Sequence, residues 1–301
     1  MDRLHVLEVF AAVADKGSFA AAAPPLRLSP AAVTRAVAAL EGRLGVRLVN
    51  RTTRSFSLTE PGLGYLTAVR RVLADLGEAE HIATGTSGFP QGHLRVTAPV
   101  TFGRMHLMPV LAEFLRGQPQ ITASLTVLDR VANLIEEGFD VAIRIAQLPD
   151  STLVARRVGE VRRLLVASSD YLSRHGRPHR PADLRRHDLI AFEGMFAGGQ
   201  WRHCVGGRAS TTPIVSRIMV NDAQAAIEAA ERGEGIAGAL SYMVTRQIAA
   251  GTLVTLLDDF AASPVPVQLV YPQARLLAAK VRAFVDFAAP RLSRRLVTGG
   301  G

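Results

Sequence analysis

The sequence predicts an α/β protein in two parts: a small helical unit with one hairpin, then a larger unit of alternating strands and helices. With 301 residues, the chain is too long for a single hydrophobic core of ordinary size, and its length suits about two units of ~100–200 residues each. Apolar residues recur every three or four positions up to residue 83, whereas strands and helices alternate from residue 94. The stretch 85–92, rich in glycine, serine and proline, predicts the boundary between the units.

Three helices are predicted in the first 45 residues. Residues 4–15 show helical spacing, and Gly17 ends that helix. Ser18 is placed to cap a short alanine-rich second helix. Ser29, followed directly by a proline, predicts the cap of a third helix that runs to about Leu44.

A basic hairpin is predicted to follow the third helix. Residues 46–49 are apolar or basic, 50–54 spell a turn-prone Asn-Arg-Thr-Thr-Arg, and 55–59 alternate as a strand does. Three helices and such a hairpin make a winged helix-turn-helix, which we assign to residues 1–60.

The start of the third helix predicts binding to double-stranded DNA. A helix that follows a tight turn and opens with small residues can lay its N-terminal end in the major groove. Arg35 can donate paired hydrogen bonds to a guanine, and Thr34 can contact a base edge; the alternative for Arg35 is a solvated surface charge. The predicted DNA contacts are Ser29, Pro30, Ala31, Thr34 and Arg35 on the helix, and Arg51, Thr53 and Arg54 on the wing.

The distribution of charge supports this prediction better than its total. The net charge is +9, but only two of the 35 cationic residues are lysines, a bias typical of a whole genome. Residues 27–54, however, hold six arginines against one acid, Glu41. Such a density of positive charge suits a surface that follows DNA phosphates.

A long linker helix is predicted within residues 61–88. Leu66, Val69, Leu73 and Leu76 form a narrow apolar stripe along it. A stripe of this width predicts that the helix pairs with its counterpart in a homodimer. The alternative is that the stripe packs on the helix's own domain.

Residues 89–301 predict two α/β lobes with a largely parallel sheet. The predicted strands lie at 94–98, 121–127, 140–145, 163–167, 188–192, 214–220, 236–240 and 265–271. The predicted helices lie at 102–116, 131–137, 222–232 and 276–288.

An effector site is predicted at the carboxyl ends of these strands, where open α/β sheets bind ligands. Arg144 among apolar residues favours a small organic anion, although a salt bridge to Asp140 or to another acid is an equal alternative for this arginine. Phe196 and Trp201 either line the cleft or belong to the core. The predicted effector-binding residues are Val100, Thr101, Phe102, Asp129, Arg130, Arg144 and Phe196.

Several other site types are not predicted. Cys204 is the only cysteine, which excludes an internal disulfide and a multi-thiolate metal site. Its neighbour His203 does not make it a nucleophile, because adjacent residues rarely face each other. Residues 233–238 spell GxGxxG but lie between a helix and a strand, the reverse of a dinucleotide site, so Gly233 is predicted to end a helix. We therefore expect no cofactor, no metal and no catalysis.

Targeting signals are not predicted either. The sequence has no apolar run of ~18 residues and no secretory start, so we expect a cytoplasmic protein with no membrane partner.

Motifs along the whole chain resemble LysR-type transcriptional regulators. They are SFAAAA at 18–23, LSPAAVTR at 28–35, LE at 40–41, LGVRL at 44–48, NRTTR at 50–54, LTEPG at 58–62, VTAP at 96–99, EEGFDVAIR at 136–144 and LVAR at 153–156. The resemblance implies a winged DNA-binding domain, a dimer through the linker helix and usually a homotetramer. It also implies a two-lobed effector domain like type 2 periplasmic binding proteins and transcription control by a small molecule.

Two departures from the family pattern stand out. Pro24 and Pro25 fall in the second helix, where an interior proline costs ~3 kcal/mol, so that helix is expected to kink or end early. An alternative function follows, a small-molecule binding protein with an impaired DNA-binding domain. Residues 238–242 read GALSY, where family members often carry a leucine-proline step.

Overall fold

A computed structural model describes residues 2–52, 55–83, 90–148, 153–192, 195–273 and 278–298. The chain forms two compact units, Met1–Gly88 and Phe89–Gly301. The predicted hinge residues 85–88 lie outside the described residues.

The smaller unit is a winged helix-turn-helix extended by a long helix. Its elements are α1 (Arg3–Lys16), α2 (Phe19–Ala22), a 3-10 turn (Pro24–Leu26), α3 (Pro30–Leu44), β1 (Val49–Thr52), β2 (Ser55–Leu58) and α4 (Glu60–Ala83). β1 and β2 pair antiparallel as the predicted wing.

The helix ends form where the sequence predicts them. Gly17 (φ 60°) and Gly45 (φ 69°) take the left-handed conformation that follows α1 and α3. The Ser18 hydroxyl accepts the Ala21 N–H at 3.3 Å and caps α2.

The two prolines end the second helix early, as expected. α2 stops at Ala22, and Pro24 and Pro25 begin a 3-10 turn that tolerates their missing N–H groups. Arg27 (φ 54°) closes the turn by donating its N–H to the Pro24 carbonyl at 3.0 Å. The third helix and its cap are therefore intact despite the prolines.

The long helix α4 packs on its own unit. Leu66 and Val69 are 6% and 2% exposed in the core of the smaller unit, and Leu73 packs against that core. A Cβ added at Gly62 would lie 2.0 Å from the Leu48 carbonyl oxygen, so only glycine allows this close approach. For these stripe residues, packing within the unit is what the structure shows.

The larger unit passes from one lobe to a second and back. The first lobe begins with β3 (Gly92–Ala98), α5 (Val100–Phe102), a π-helical turn (Gly103–Leu107), α6 (Met108–Arg116), β4 (Ile121–Val127), α7 (Leu134–Glu137), β5 (Val141–Ile145) and β6 (Leu153–Val161). The second lobe comprises β7 (Arg163–Ala167), α8 (Ser169–His175), β8 (Leu189–Phe192), β9 (Gln200–Val205), β10 (Arg208–Pro213), β11 (Ile218–Val220), α9 (Ala223–Glu231), β12 (Ile236–Leu240), α10 (Ser241–Ala250) and β13 (Val254–Leu256). The chain then completes the first lobe with β14 (Val265–Pro272) and α11 (Ala279–Thr298).

Each lobe contains a mixed five-stranded sheet rather than the largely parallel sheet predicted. The orders are β4-β3-β5-β14-β6 and β11-β8-β12-β7-β13. In the first lobe, β14 runs antiparallel to β5 and β6, and in the second, β7 runs antiparallel to β12 and β13. The prediction was wrong because β7, which leads the chain into the second lobe, and β14, which leads it back into the first, each enter their sheet from the opposite end.

Local differences from the predicted elements have physical causes. The predicted helix 131–137 begins only at Leu134, because the Asn133 side chain accepts the Ile135 N–H at 3.2 Å and caps it there. β6 and the hairpin β9–β10 were not predicted as elements. β6 mixes arginines with apolar residues, and β10 is almost entirely polar, so neither shows a clear apolar alternation.

Helix α9 has a capped start, and its end confirms the prediction for Gly233. Gly233 (φ 79°) follows α9, so the GxGxxG stretch ends a helix and enters β12. The Asp222 carboxylate accepts the N–H groups of Gln224 and Ala225 at 3.3 and 3.2 Å and caps α9.

Among the described residues, no helix combines the length and apolar character needed to cross a bilayer.

Candidate DNA-binding and effector sites

The start of α3 presents a small, mostly exposed surface. Pro30 and Ala31 are exposed, whereas Val33 on the opposite face is fully buried. The Ser29 hydroxyl accepts the Ala32 N–H at 3.2 Å, and the Thr34 hydroxyl donates to the Pro30 carbonyl at 2.9 Å. Both hydroxyls thus stabilise the first turn, and Thr34 keeps an oxygen that can accept a further hydrogen bond.

Arg35 is an exposed cation next to this surface. Among the described residues its guanidinium has no hydrogen-bond or ion-pair partner, so its donors are available to a ligand. A shallow cavity of about 380 Å³ joins Arg35 to Arg3 and Arg43, two further arginines. The helix therefore carries positive charge along one side, with Arg35 nearest its N-terminal end.

The base of the wing is held by the single acid of the basic segment. One Glu41 carboxylate oxygen accepts the backbone N–H groups of Leu48 and Val49 at 2.8 and 3.0 Å. The Thr59 hydroxyl donates to the Arg47 carbonyl at 2.7 Å on the other side. Glu41 therefore positions the base of the wing.

The wing residues predicted to contact DNA are only partly described. The Arg51 backbone lies in β1 opposite Phe56. Thr53 and Arg54 lie outside the described residues.

A cavity of about 260 Å³ lies at the carboxyl ends of β3, β4 and β5 in the first lobe. We call it the effector cavity. Its lining residues are Thr97, Ala98, Pro99, Leu128, Asp129, Arg130, Val131, Ala132, Ala142, Ile143, Arg144, Ile145, Ala146, Gln147 and Leu148. Most of them are apolar, and three of the predicted effector residues, Asp129, Arg130 and Arg144, are brought together here.

The two arginines of the effector cavity differ in their partners. The Arg130 guanidinium pairs with the Glu137 carboxylate at 2.6 Å. Arg144 is partly buried and donates to the backbone carbonyl of Ala132, a neutral acceptor. Desolvation lowers the pKa of the Arg144 guanidinium, and the charge of Glu137 partly opposes this effect. Arg144 is thus a desolvated cation with room for an anionic ligand.

The salt bridge from Arg144 to Asp140 is not formed. Asp140 is buried, accepts the Arg95 N–H at 2.9 Å and pairs with the Lys280 ammonium at 3.8 Å. Asp140 thus joins β3 and β5 to α11, and the alternative prediction of a salt bridge between Arg144 and Asp140 is wrong.

Two polar groups complete the cavity. The Asp129 carboxylate accepts the Val100 N–H at 3.1 Å, and desolvation raises the pKa of this carboxyl. The Thr97 side chain is 4% exposed, and its hydroxyl has no partner among the described residues. A ligand hydrogen bond would satisfy this hydroxyl, whose burial otherwise costs free energy.

The remaining predicted effector residues lie beside the cavity rather than in its wall. Val100 and Thr101 follow the lining residue Pro99, with Thr101 buried. Phe102 is buried edge-on against Tyr242 of the second lobe, with ring centroids 5.5 Å apart. Phe196 is 6% exposed and packs against Gly238, where an added Cβ would lie 2.8 Å from its ring.

Sequence reasoning missed Thr97 and the stretch 145–148. Both could have been found, because they occupy the last positions of β3 and the end of β5, where the same strand-end rule applies. Trp201, the other aromatic considered for the cleft, is a buried core residue of β9.

Comparison with known proteins identifies both domains. Residues 4–63 match the family described as bacterial regulatory helix-turn-helix protein, lysR family, and residues 87–293 match the LysR substrate binding domain. The chain belongs to the LysR family of transcription regulators. It is therefore a DNA-binding regulator with an effector-binding domain, and the effector cavity lies in that domain.

Individual relatives cover nearly the whole regulator. An HTH-type transcriptional repressor of Pseudomonas aeruginosa is 34% identical over 95% of this chain and 91% of its own length. The regulator CrgA of Neisseria meningitidis is 32% identical, and its structure has a TM-score of 0.61 over 95% of this chain and 98% of that chain. The full-length Vibrio cholerae virulence activator AphB is 27% identical, with a TM-score of 0.62 over the same two shares.

Proposed function

We propose that this LysR-type regulator reads its operator with the first turns of α3 and responds to a small organic anion held by Arg144. The observation that carries the first part is the exposed, unpartnered guanidinium of Arg35 beside the small residues Pro30 and Ala31. Small residues let the helix approach the base pairs closely, and Arg35 supplies the paired donors that guanine accepts.

The wing has a different role in this proposal. Arg51, Thr53 and Arg54 contact phosphates or the minor groove and orient the domain without reading bases directly. Ser29 contributes by holding the first turn of α3. Thr34 contributes an acceptor to a base edge.

The DNA proposal is tested by Arg35→Ala against Arg43→Ala, which removes the same charge from the far end of the same helix. We expect Arg35→Ala to lose about 1–3 kcal/mol of preference for the cognate operator over random DNA. Arg43→Ala should weaken both DNAs equally. Competition binding at fixed salt measures the ratio, and equal ratios for the two variants would contradict the role of Arg35.

The effector proposal rests on Arg144 and the wall around it. Among the described residues, Arg144 has no carboxylate partner, whereas the other cation of this cavity, Arg130, is paired with Glu137. Thr97 offers a buried hydroxyl, and Ile143 and Leu128 offer apolar surface. This combination fits a small organic carboxylate, with its charge on Arg144 and its carbon skeleton against the apolar wall.

A screen of small carboxylates against their neutral amide isosteres tests this assignment on the full-length protein. We expect the compounds that raise the unfolding temperature to be carboxylates, and Arg144→Gln to abolish the shift. Arg116→Gln, an exposed arginine at the end of α6, is the control and should retain it. Hits among the amides alone, or an unchanged shift in Arg144→Gln, would overturn the proposal.

The assembly is proposed from the family resemblance. Val72 of α4 is 47% exposed and offers apolar surface for a partner helix. We propose a homodimer through α4 that associates further into a homotetramer, acting in the cytoplasm by binding alone, without catalysis. Analytical ultracentrifugation of the wild type and of Val72→Glu tests the dimer, which the substitution should weaken.

A further inference from the structure

The cavity between α1 and α3 in the smaller unit gathers three arginines, and we call it the arginine cleft. Its volume is about 380 Å³. The residues lining it are Arg3, Val6, Arg35, Ala36, Ala39, Leu40 and Arg43. Arg3 is the first residue of α1, and the other two arginines belong to α3. Two separate helices therefore bring three cations to one space.

The positive charge of the arginine cleft is not balanced by its own walls. None of its seven lining residues, all of them described, is an aspartate or glutamate. Among the described residues, Arg3, Arg35 and Arg43 have no side-chain hydrogen bond or ion pair, and all three are exposed. Their guanidinium donors are therefore available to an external anion.

The acids of the two helices have other partners. In α1, Glu8 pairs with His5 at 3.1 Å, and Asp15 pairs with Arg70 of α4. In α3, Glu41 accepts the backbone N–H groups at the base of the wing. Local acids thus stabilise the unit without neutralising the arginine cleft.

The floor of the arginine cleft is apolar and buried. Val6, Ala36 and Leu40 are 8%, 2% and 1% exposed. An apolar surface beneath a group of cations focuses their field toward solvent, which favours an anion as the ligand. Ala39 lies one helical turn from each α3 arginine and adds only a methyl group, so the space between them stays open.

The spacing of the α3 arginines relates the arginine cleft to DNA. Arg35 and Arg43 are eight residues apart, which is roughly 12 Å along a helix. The major groove is only about 8.5 Å deep. A helix that enters the groove by its N-terminal end and brings Arg35 to the base edges therefore holds Arg43 at the height of the phosphates. Arg3 is placed there too, because it lines the same cleft.

We propose that the arginine cleft binds one phosphate of the DNA backbone, at the rim of the groove that α3 enters, and that Arg3 is a further DNA-positioning residue. This inference rests on the proposed function, since it takes α3 as the reading helix. Arg3 and Arg43 donate to the phosphodiester oxygens, for which the planar guanidinium group is well suited. A phosphate held between α1 and α3 fixes how far the reading helix enters the groove, without reading sequence itself.

The salt dependence of binding to a random-sequence duplex tests the phosphate contact on the full-length protein. The slope of log affinity against log salt falls by about 0.9 for each phosphate contact that is lost. We expect Arg3→Gln and Arg43→Gln each to weaken binding by about fivefold or more. The double variant should lower the slope by about 0.9 per bound subunit, because both arginines hold the same phosphate. A fall of about 1.8 would mean two separate phosphates and would overturn the shared site.

Two further variants separate this contact from net charge. Arg70→Gln removes the same charge from α4, where this arginine pairs with Asp15, and should leave the slope unchanged. Arg3→Lys keeps a cation in the arginine cleft and should bind nearly as the wild type does. An unchanged slope in the double variant, or an equal fall in Arg70→Gln, would contradict the proposal.

The ratio of operator binding to random-DNA binding distinguishes this inference from the proposed function. Arg3→Gln should leave that ratio unchanged, because a phosphate contact supports all sequences alike, whereas Arg35→Ala should lower it. A ratio lowered equally by both variants would show that Arg3 reads bases and would overturn its positioning role. If Arg35→Ala leaves the ratio unchanged while the double variant lowers the slope, the reading role of Arg35 fails and the phosphate site stands.

Discussion

The candidate DNA-reading surface and the effector cavity of this LysR-type regulator are assembled in different ways. The candidate DNA-reading surface is one contiguous segment, 29–35, whose shape is set by a cap and a helical turn. The effector cavity joins three separated segments, 97–99, 128–132 and 142–148, which meet only because their strands are neighbours in a sheet. A surface made by local interactions tolerates the loss of distant contacts, whereas a cavity made by strand ends does not.

Removing a buried charge from the sheet should have the largest effect. Asp140 joins β3, β5 and α11 through Arg95 and Lys280, so Asp140→Ala should cost the larger unit about 3–5 kcal/mol of unfolding free energy. Glu160→Ala removes an acid from an exposed pair with Arg157 and should cost less than about 1 kcal/mol. Urea unfolding followed by Trp201 emission measures both, and similar midpoints for the two would break the comparison.

In the smaller unit, the close approach of Gly62 to Leu48 should be similarly sensitive to substitution. Gly62→Ala places a Cβ 2.0 Å from the Leu48 carbonyl, and we expect a loss of about 1–3 kcal/mol as α4 moves away from the wing. Gly64→Ala, two residues along the same helix, meets nothing within 4 Å and should stabilise by about 0.5–1 kcal/mol. Hydrogen exchange over residues 30–58 reports the change. Slower exchange in both variants would show that helix propensity, not the close approach, decides the effect.

A smaller effect is expected from a local cap in the larger unit. Asp222→Ala removes the acceptor of two N–H groups at the start of α9 and should cost about 1 kcal/mol. Asn221→Ala changes the exposed neighbour and is the control. The midpoints of urea unfolding, followed by Trp201 emission, measure the loss in both variants. A loss as large as that of Asp140→Ala would mean that local interactions also determine the sheet.

The smallest effect is a pH dependence in the effector cavity. The raised pKa of Asp129 means that its charged form is disfavoured in the folded protein, so stability from this group falls as pH rises from its ordinary pKa to the raised one. A bound carboxylate should accordingly bind better as pH falls through the Asp129 pKa, by about fivefold for ~1 kcal/mol of repulsion. Asp129→Asn should bind well throughout and show no such change. Titrations of a carboxylate from the screen, above its own pKa, measure the slope, and an equal slope in Asp129→Asn would contradict this role.

The two regions also differ in how far they could be predicted. Ser29, Pro30 and Gly45 define α3 through rules that act within one helical turn, so its bounds followed from the sequence. Arg144 and Asp129 could be proposed as site residues because each lies at or just past the end of an apolar strand. The Ala132 carbonyl that accepts from Arg144 could not be predicted, since it reaches this arginine only through the fold. In the sequence, Phe102 and Phe196 cannot be distinguished from residues that line a cleft. In the structure both are buried, because Phe102 packs against Tyr242 and Phe196 packs against Gly238.

By itself, the sequence determined the winged helix-turn-helix, the helix ends and the family, because caps, periodicity and contiguous motifs are local features. Tertiary structure decided the mixed sheets, the packing of Leu66 and Val69 on their own unit, and the pairing of Asp140 with Lys280. It also decided which arginines remain without an acid, because charge balance depends on residues that lie far apart in the chain.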